Sequence, residues 1–409
     1  MSHDGADRSI LYAAAFLRAL ATGMVGVLVA IYLASRGFDS AAIGVVVTAG
    51  LAGAALGALL VTSFADRVGR RRALVALGVL AAIGGVLVTS VDGLLAISGA
   101  AFVGMLNGMG RDRGAALIID QAILPATATD AERTTIFARY NVLQDAGHAL
   151  GGLAAGLPVL LRGLATIDEA QSLHVTMLSY AGLHLATALA YSRLSPACEA
   201  PPGVVRTRLS ASSRRILVRI SALFAIDSVA GGFLTAALLS FFFFERFGVS
   251  EGVIGVLFFG ARVANAASHF GAAWLARRIG LVNTMVFTHI PSSLLLATVA
   301  IAPSFPVAAV LFLLREGLVE MDVPTRQSYV MAVVRPEERT IASGVTHLVR
   351  LAAWSVAPAF AGLLMQGTSL AMPLVVGAAL KIAYDLLLYA AFRREKPPEE
   401  LAPTGPTPV

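Results

Sequence analysis

Residues 36–74 read RGFDSAAIGVVVTAGLAGAALGALLVTSFADRVGRRRAL, an apolar run closed by a short arginine-rich loop, ADRVGRRRAL, from Ala65 to Leu74. A related stretch recurs without a gap in the second half of the chain. Gly37, Ile43, Gly44 and Val45 fall on Gly248, Ile254, Gly255 and Val256, and Arg67 and Gly69 fall on Arg278 and Gly280. Identity between the copies is low and Ala and Gly are abundant, so the weight rests on aligned punctuation: a glycine before each apolar run and Arg-x-Gly after it. The chain reads as a tandem duplication.

Working outward, a hydrophobic content of 57% with 14% charged residues over 409 residues, and a mean hydropathy of +0.78, exceed what one water-soluble core requires. Apolar runs of roughly 20 residues, the length that crosses a bilayer as a helix, recur throughout. Cutting at loops that carry Arg, Pro or Gly gives twelve spans, at about 10–34, 41–64, 73–91, 94–122, 135–160, 171–194, 216–244, 251–275, 281–302, 306–334, 341–366 and 370–392. Hydrocarbon offers backbone N–H and C=O groups no water, so the spans are helices or closed-barrel strands. Their length and the lack of period-two alternation exclude the barrel. The expected fold is an all-α membrane protein of twelve transmembrane helices in two pseudo-symmetric six-helix bundles.

The positive charges set the orientation. Loops on the Arg67 side hold most of the basic residues, among them Arg70, Arg71, Arg72, Arg206, Arg214, Arg277 and Arg393, against Arg36, Arg162 and Arg246 on the other. Positively charged loops stay in the cytoplasm, so both termini are expected there, in an inner (plasma) membrane. The formal charge of +6 needs no nucleic acid to explain it; anionic lipid heads suffice. The first span follows no basic n-region or small-residue cleavage site and is expected to persist. The single cysteine, Cys198, allows no internal disulfide. Neither lysine, Lys381 or Lys396, follows a glycine, so the chain has no Walker A loop and no means of its own to use ATP. Metal-ligand spacings, nucleophile motifs and cofactor fingerprints are likewise missing, which argues against an enzyme.

Between Ser195 and Ser213 lies the longest polar interruption, with Pro196, Pro201 and Pro202. It reads as a cytoplasmic linker, residues 195–213, between halves at 1–194 and 214–394, with a disordered Pro- and Glu-rich tail at 395–409. With these features in place the chain resembles the major facilitator superfamily, whose loop between helices 2 and 3 reads G-x-L-A-D-R-x-G-R-R-x-x-L. Asp66, Arg67, Gly69, Arg70, Arg71 and Leu74 match; Thr62 and Phe64 depart from it. The second copy has Arg277 in place of the acid, and DAERT (Asp130 to Thr134) pairs with PEERT (Pro336 to Thr340). The resemblance implies secondary transport by alternating access, with Asp66, Arg67, Gly69, Arg70 and Arg71 as a cytoplasmic latch. Arginines alone would serve as a topology anchor, so the acid favours the latch.

Charges within the spans are costly, at least a few kcal/mol each on insertion scales. The first span carries Arg18, and the seventh carries Asp227 two residues from the repeat-equivalent position. The fourth carries Arg111, Asp112, Arg113 and Asp120; on a continuous helix the first three would sweep roughly 200°, with Arg113 and Asp120 sharing a face. The tenth sorts into Arg315, Asp322 and Arg326 on one stripe and Glu316, Glu320 and Gln327 on another. The fifth gathers Asn141, Gln144, Asp145 and His148; the eleventh His347, Arg350 and Trp354; the eighth Arg262, Asn265 and His269. Lys381 and Asp385, one turn apart, read as a self-neutralising pair. His174 and His184 read as packed or interfacial. For the others, the bland alternative is salt bridging between helices.

These residues point to secondary active transport of a small molecule at a midplane site. Arg18, Arg111, Arg113, Asn141, Gln144, His148, Arg262, Asn265, Arg326, Arg350 and Trp354 are the candidates for binding a substrate, anionic or zwitterionic in character. Asp112, Asp145, Asp227, Glu316, Glu320 and Asp322 are the candidates for proton coupling. The resemblance favours proton-coupled export; uptake of an organic anion or metabolite is the alternative, and a receptor or scaffold without flux a third. Reporters fused at Asp92 and Asp168 should read as external and one within Ser195 to Ser213 as cytoplasmic; a cytoplasmic reading at either acid would overturn the twelve-span assignment.

Overall fold

The apolar runs do become helices. In the computed structural model, residues 3–127, 133–165, 167–199, 210–321, 326, 334–335 and 338–392 are described, and no strand occurs among them. In chain order the helices are α1 (His3–Ser35), α2 (Ser40–Val68), α3 (Arg70–Ser90), α4 (Leu94–Val103), α5 (Ala115–Ile123), α6 (Arg133–Ala154), α7 (Leu157–Leu164), α8 (Glu169–Tyr191), α9 (Ala211–Gly232), α10 (Ala236–Phe247), α11 (Glu251–Ile279), α12 (Leu281–Ala300), α13 (Phe305–Val319), α14 (Arg339–Gly367) and α15 (Met372–Phe392). Among the described residues, nine helical segments are long and apolar enough to cross a membrane. The twelve spans map onto these elements as far as they are described, and among the described residues three are interrupted. Asp322, Pro324, Gln327, most of the linker and the 395–409 tail lie outside the described residues.

Each interruption has a local cause. The fourth span breaks from Gly104 to Gly114, where Met105 and Gly110 take φ of 51° and 70°, left-handed values that end a right-handed helix. The expected continuous helix at 94–122 is therefore corrected, and with it the shared face of Arg113 and Asp120. The fifth span breaks before Pro158, whose ring occupies the first turn of α7, the helical position that tolerates a missing N–H. In the seventh, Thr235 starts α10 afresh by accepting from Leu238 N–H at 3.2 Å, satisfying one of the free donors of a helix start.

By contact density the chain forms two compact units. Unit 1 comprises Met1–Val204, Gly231–Arg262 and Leu351–Pro373; unit 2 comprises Val205–Ala230, Val263–Arg350 and Leu374–Val409. In unit 1, α1 is apolar nearly all round and its span is 83% buried, as expected of a helix surrounded by others. Lipid tails give no hydrophobic drive between helices, so small residues that let backbones approach decide the packing. Gly23, Gly147 and Gly151 seat α6 on α1, and Gly78 and Gly85 seat α3 against Ala188 and Tyr180 of α8. Leu59, Leu60 and Ile83 remain about half exposed, a surface suited to lipid. The core of unit 2 joins Leu217, Ile220 and Phe224 of α9 to Met285 and Val286 of α12 and to Tyr384 and Leu388 of α15.

At the end of unit 1 away from the ADRVGRRRAL loop, sequence-distant helices are tied together. The first turns of α2 meet the last turns of α14: Ser40 Oγ donates to Gly362 O at 3.2 Å, Gln366 Nε2 to Asp39 Oδ2 at 2.9 Å, and Ala359 N to Thr48 Oγ1 at 2.9 Å. Arg162 beyond α7's midpoint pairs with Glu251 at the start of α11 at 2.6 Å. The α2–α14 crossing depends on two glycines. A Cβ at Gly44 would stand 2.3 Å from Pro358 O, and one at Gly362 2.2 Å from Ser40 O. Both obstacles are backbone and cannot swing aside.

Gly362→Ala should therefore push these helix ends apart, an overpacking of roughly 1–3 kcal/mol. Val47, 1% exposed on α2, reports on it: Val47→Cys should resist maleimide in the parent and react several-fold faster with Gly362→Ala present. The native Cys198 gives little background, because burial and then the nearby Asp7 push its thiol up to about 12, leaving almost no thiolate. Equal labelling rates in the two backgrounds would show that the crossing tolerates the methyl group.

Candidate functional site

Arg18 is the centre of unit 1. Its guanidinium, 4% exposed, places Nε 2.9 Å from Asp112 Oδ2 and Nη2 2.9 Å from Asp120 Oδ2. Nη1 also donates to Tyr191 OH, and Nη2 to Tyr140 OH at 3.3 Å. The two tyrosines in turn donate to Asp120, at 2.9 and 3.0 Å. Gln144 Nε2 reaches Asp112 Oδ2 at 3.3 Å, and His148 Nε2 accepts the backbone N–H of Asp112 at 2.7 Å. One cation thus holds two carboxylates, and each carboxylate has further donors, the condition under which buried ions are tolerated.

The break in the fourth span makes this possible. Asp112 lies in the non-helical stretch and Asp120 on α5, so both acids reach one arginine, which neighbours on a straight helix eight residues apart would do less readily. The freed backbone is satisfied locally: Asn107 Nδ2 donates to Arg111 O at 2.7 Å, Asn107 Oδ1 accepts from Met109 N at 2.9 Å, and Gly108 O accepts from Ala237 N at 3.0 Å. Arg262 Nη2 donates to Gly110 O at 3.3 Å. Arg113 stands over the Trp354 ring, 5.1 Å from its centroid.

The fifth-span face splits in two. Gln144 and His148 are buried against Asp112, whereas Asn141 and Asp145 are exposed. A cavity of about 60 Å³, room for a few waters but not for an organic solute, is lined by Arg18, Asp112, Asn107, Tyr180 and His184. His184 packs edge-on against Tyr180 at 4.4 Å between ring centroids.

Unit 2 carries the inverse arrangement. Asp227, 3% exposed, lies 2.9 Å from Lys381 Nζ, 3.4 Å from Arg326 Nη1 and 3.4 Å from Arg350 Nη2. One carboxylate holds three cations. The Arg326 and Arg350 guanidinium groups also sit over the Phe224 ring, at 5.3 and 5.7 Å. Glu316 pairs with Arg315 and accepts from Asn265 Nδ2 at 2.6 Å, so the two expected stripes of the tenth span meet. Glu320 is half-buried at the end of α13. The expected Lys381–Asp385 pair is corrected: Lys381 turns to Asp227, while Asp385, fully buried, takes His289 Nδ1 at 3.0 Å. His289 occupies the Asp385 oxygens, so Lys381 and Asp385 each find a partner on another helix. Sequence reasoning missed His289, Tyr140 and Tyr191, which carry no charge signal of their own. Among the described residues, no group of three or more His, Cys, Asp or Glu side chains is placed to hold a metal ion.

The ADRVGRRRAL loop is anchored within unit 1. Asp66 pairs with Arg70 one turn on, at 2.9 Å, and Arg70 reaches Ala122 O at 3.4 Å. Arg71 donates to Leu194 O at 3.1 Å, and Glu199 caps the start of α3 by accepting from Arg70 N at 2.5 Å. Gly69, at φ +104°, lets α2 turn into α3, a conformation that strains other residues. Arg67 is exposed.

Ion clusters buried among the apolar spans of a polytopic helical protein mark a solute or ion pathway. Residues 11–358 match the Major Facilitator Superfamily, and the chain belongs to that family. An uncharacterised membrane protein of Saccharomyces cerevisiae is 25% identical over 421 residues, covering 94% of each chain. Among solved structures, the nucleoside transporter NupG matches with a TM-score of 0.74 at 16% identity, over 97% of this chain and all of that one. A D-xylose–proton symporter matches with a TM-score of 0.73 at 13% identity, over 95% of this chain and 98% of that one. At such identities these two show the shared fold.

The ion cluster of unit 1 gives a test by charge. Arg18→Gln leaves two carboxylates without their cation and should destabilise the protein by roughly 3–5 kcal/mol. Adding Asp112→Asn and Asp120→Asn removes the orphaned charges and should recover most of that loss. Melting temperature and monodispersity in detergent are the measurements; a single variant as stable as the parent would show that Arg18 is not the keystone.

Proposed function

We propose that the protein is a proton-coupled secondary transporter of a small organic anion or zwitterion, working by alternating access. The observation that carries the reading is the convergence of Arg326, Arg350 and Lys381 on Asp227 in unit 2, with both guanidinium groups over the Phe224 ring. Two guanidinium groups beside an aromatic ring suit a carboxylate or phosphate ester. An anion on the arginines offsets their positive field at Asp227; a proton on Asp227 releases the arginines to an anion. By linkage these are one coupling free energy seen from two sites, and they favour the two ligands travelling together. The D-xylose–proton symporter that shares the fold pairs solute and proton by name. Co-movement with an inward proton gradient is uptake, so we place uptake ahead of the export that the family resemblance favours.

In this reading Asp66, Arg67, Gly69, Arg70 and Arg71 steady one conformation as a cytoplasmic latch. Residues 1–194 and 214–394 are the halves that alternate, with both termini on the cytoplasmic side of the plasma membrane. Asp112 with Arg18 holds unit 1 together and provides a second site where a proton can compete with a cation.

A thermal-shift screen of monocarboxylates, dicarboxylates and phosphate esters against sugars and nucleosides tests the substrate class, since a solute bound by the folded state raises its melting temperature. Anions should give the shifts, and Arg350→Gln should weaken them about 10- to 100-fold, the loss of a charge-assisted hydrogen bond. An anion so found should then accumulate in proteoliposomes under an inward proton gradient. Shifts from uncharged solutes that survive Arg350→Gln would overturn the reading.

A further inference from the structure

Behind Asp227 the ion cluster continues as a line of titratable groups on three helices. Lys381 Nζ, on α15, stands 2.9 Å from Asp227 Oδ1 on α9 and 3.4 Å from His289 Nε2 on α12. His289 Nδ1 then lies 3.0 Å from both oxygens of Asp385, one turn along α15 from Lys381. All are buried: Lys381 6% exposed, His289 2%, Asp385 0%. An ammonium has only donors, so Nε2 accepts from it and Nδ1 carries the ring proton towards the carboxylate, a tautomer assigned from the network. The Tyr384 ring stands edge-on to His289 at 6.1 Å between centroids. Among the described residues, Arg326 and Arg350 also reach Asp227, while Glu316 on α13 is engaged by Arg315 and Asn265.

The two acids of this line differ in surroundings. Asp227 has Arg326, Arg350 and Lys381 on its oxygens, whereas Asp385 has an imidazole. His289 is thus the group of this line with one ring nitrogen on a carboxylate and the other on an ammonium, the placement of a side chain that can take a proton and pass it on. We propose that the His289–Asp385 pair is the proton reserve of unit 2, delivering its proton to Asp227 through Lys381. The proposal rests on the reading that unit 2 carries the coupled proton.

The transfer balances. In the loaded state His289 holds a proton on both nitrogens, and its Nε2–H faces the Lys381 ammonium, a like-charge contact that favours onward movement. Lys381 gives one proton to Asp227 Oδ1 and takes the Nε2 proton of His289. Lys381 ends as the ammonium it began as, His289 as the neutral ring with Nδ1–H still on Asp385, and Asp227 as the uncharged acid. One proton has moved and nothing else has changed. When an anion occupies Arg326 and Arg350, it offsets their positive field at Asp227, so substrate binding draws the proton forward.

The test reads the proton directly. Full-length protein with ¹⁵N-labelled histidine in lipid nanodiscs is titrated by NMR, and His289, one of seven histidines, is assigned by its loss in His289→Gln. His289 should be the Nδ1–H tautomer at pH 8 and become imidazolium as the pH falls to 5. Asp385→Asn should lower its midpoint by at least one pH unit, and Lys381→Met, which removes the competing ammonium, should raise it. A ring that stays neutral to pH 5, or a midpoint indifferent to Asp385→Asn, would sink the proposal. If Asp385→Asn fails to fold, the wild-type titration and the Lys381→Met arm still decide, because a midpoint unmoved by Lys381→Met overturns the link to Asp227. Failure here leaves anion binding at Arg326 and Arg350 standing. Failure of the anion screen leaves the protonation of His289 to be read on its own.

Discussion

A guanidinium in hydrocarbon must bring its counter-ions with it, and in this protein that requirement fixes where the helices go. Arg18 sits on the most enclosed helix of unit 1 and draws Asp112, Asp120, Tyr140, Tyr191 and, through Asp112, Gln144 and His148 to one point. Those partners come from α5, α6, α8 and the segment between α4 and α5. Removing the charge would free none of them to go elsewhere, because each acid would then be the unpaired ion. Unit 2 solves the same problem with the signs exchanged, one carboxylate for three cations. Arg18 and Asp227 are thus ions of opposite sign, each buried among partners of the other sign in its own unit.

Elsewhere in unit 1, packing depends on how closely backbones approach. Gly53 meets Phe102 O, Gly84 meets Gly104, and Gly26 meets Gly110, each closer than a Cβ would permit. Contacts of that kind are specific without being hydrophobic, which is what a lipid solvent demands. They also explain why the non-helical stretch in the fourth span is not a weakness. Its freed amides and carbonyls find Asn107, His148, Arg262 and Ala237, so irregular backbone is buried in protein as hydrocarbon requires.

How much of this was legible in the sequence varies with the physics behind each feature. Span positions were readable because bilayer thickness imposes a length on any apolar run. The breaks in the fourth and seventh spans were not, because glycine serves two purposes in membrane helices: Gly44 and Gly53 lie inside an unbroken α2, while Gly108 and Gly110 interrupt a span. Arg18, Asp112, Asp227, Arg326 and Arg350 could be singled out, since charge within a span is too costly to be incidental. Their partners were harder. Lys381 and Asp385 looked sufficient to each other at one helical turn, and only the fold shows that His289 stands between Lys381 and Asp385 as a partner to both. Asn141 and Asp145 share a helical arc with Gln144 and His148, but the arc straddles the rim of the packed surface, and periodicity does not locate a rim.

Pro358 gives α14 a property that the charges do not. Having no N–H of its own, it leaves a gap in that helix's ladder, and the next amide, Ala359 N–H, is lent to Thr48 on α2. The backbone of one helix and a hydroxyl of another thus share a single bond, so the height at which α2 crosses α14 is indexed to the position of one proline.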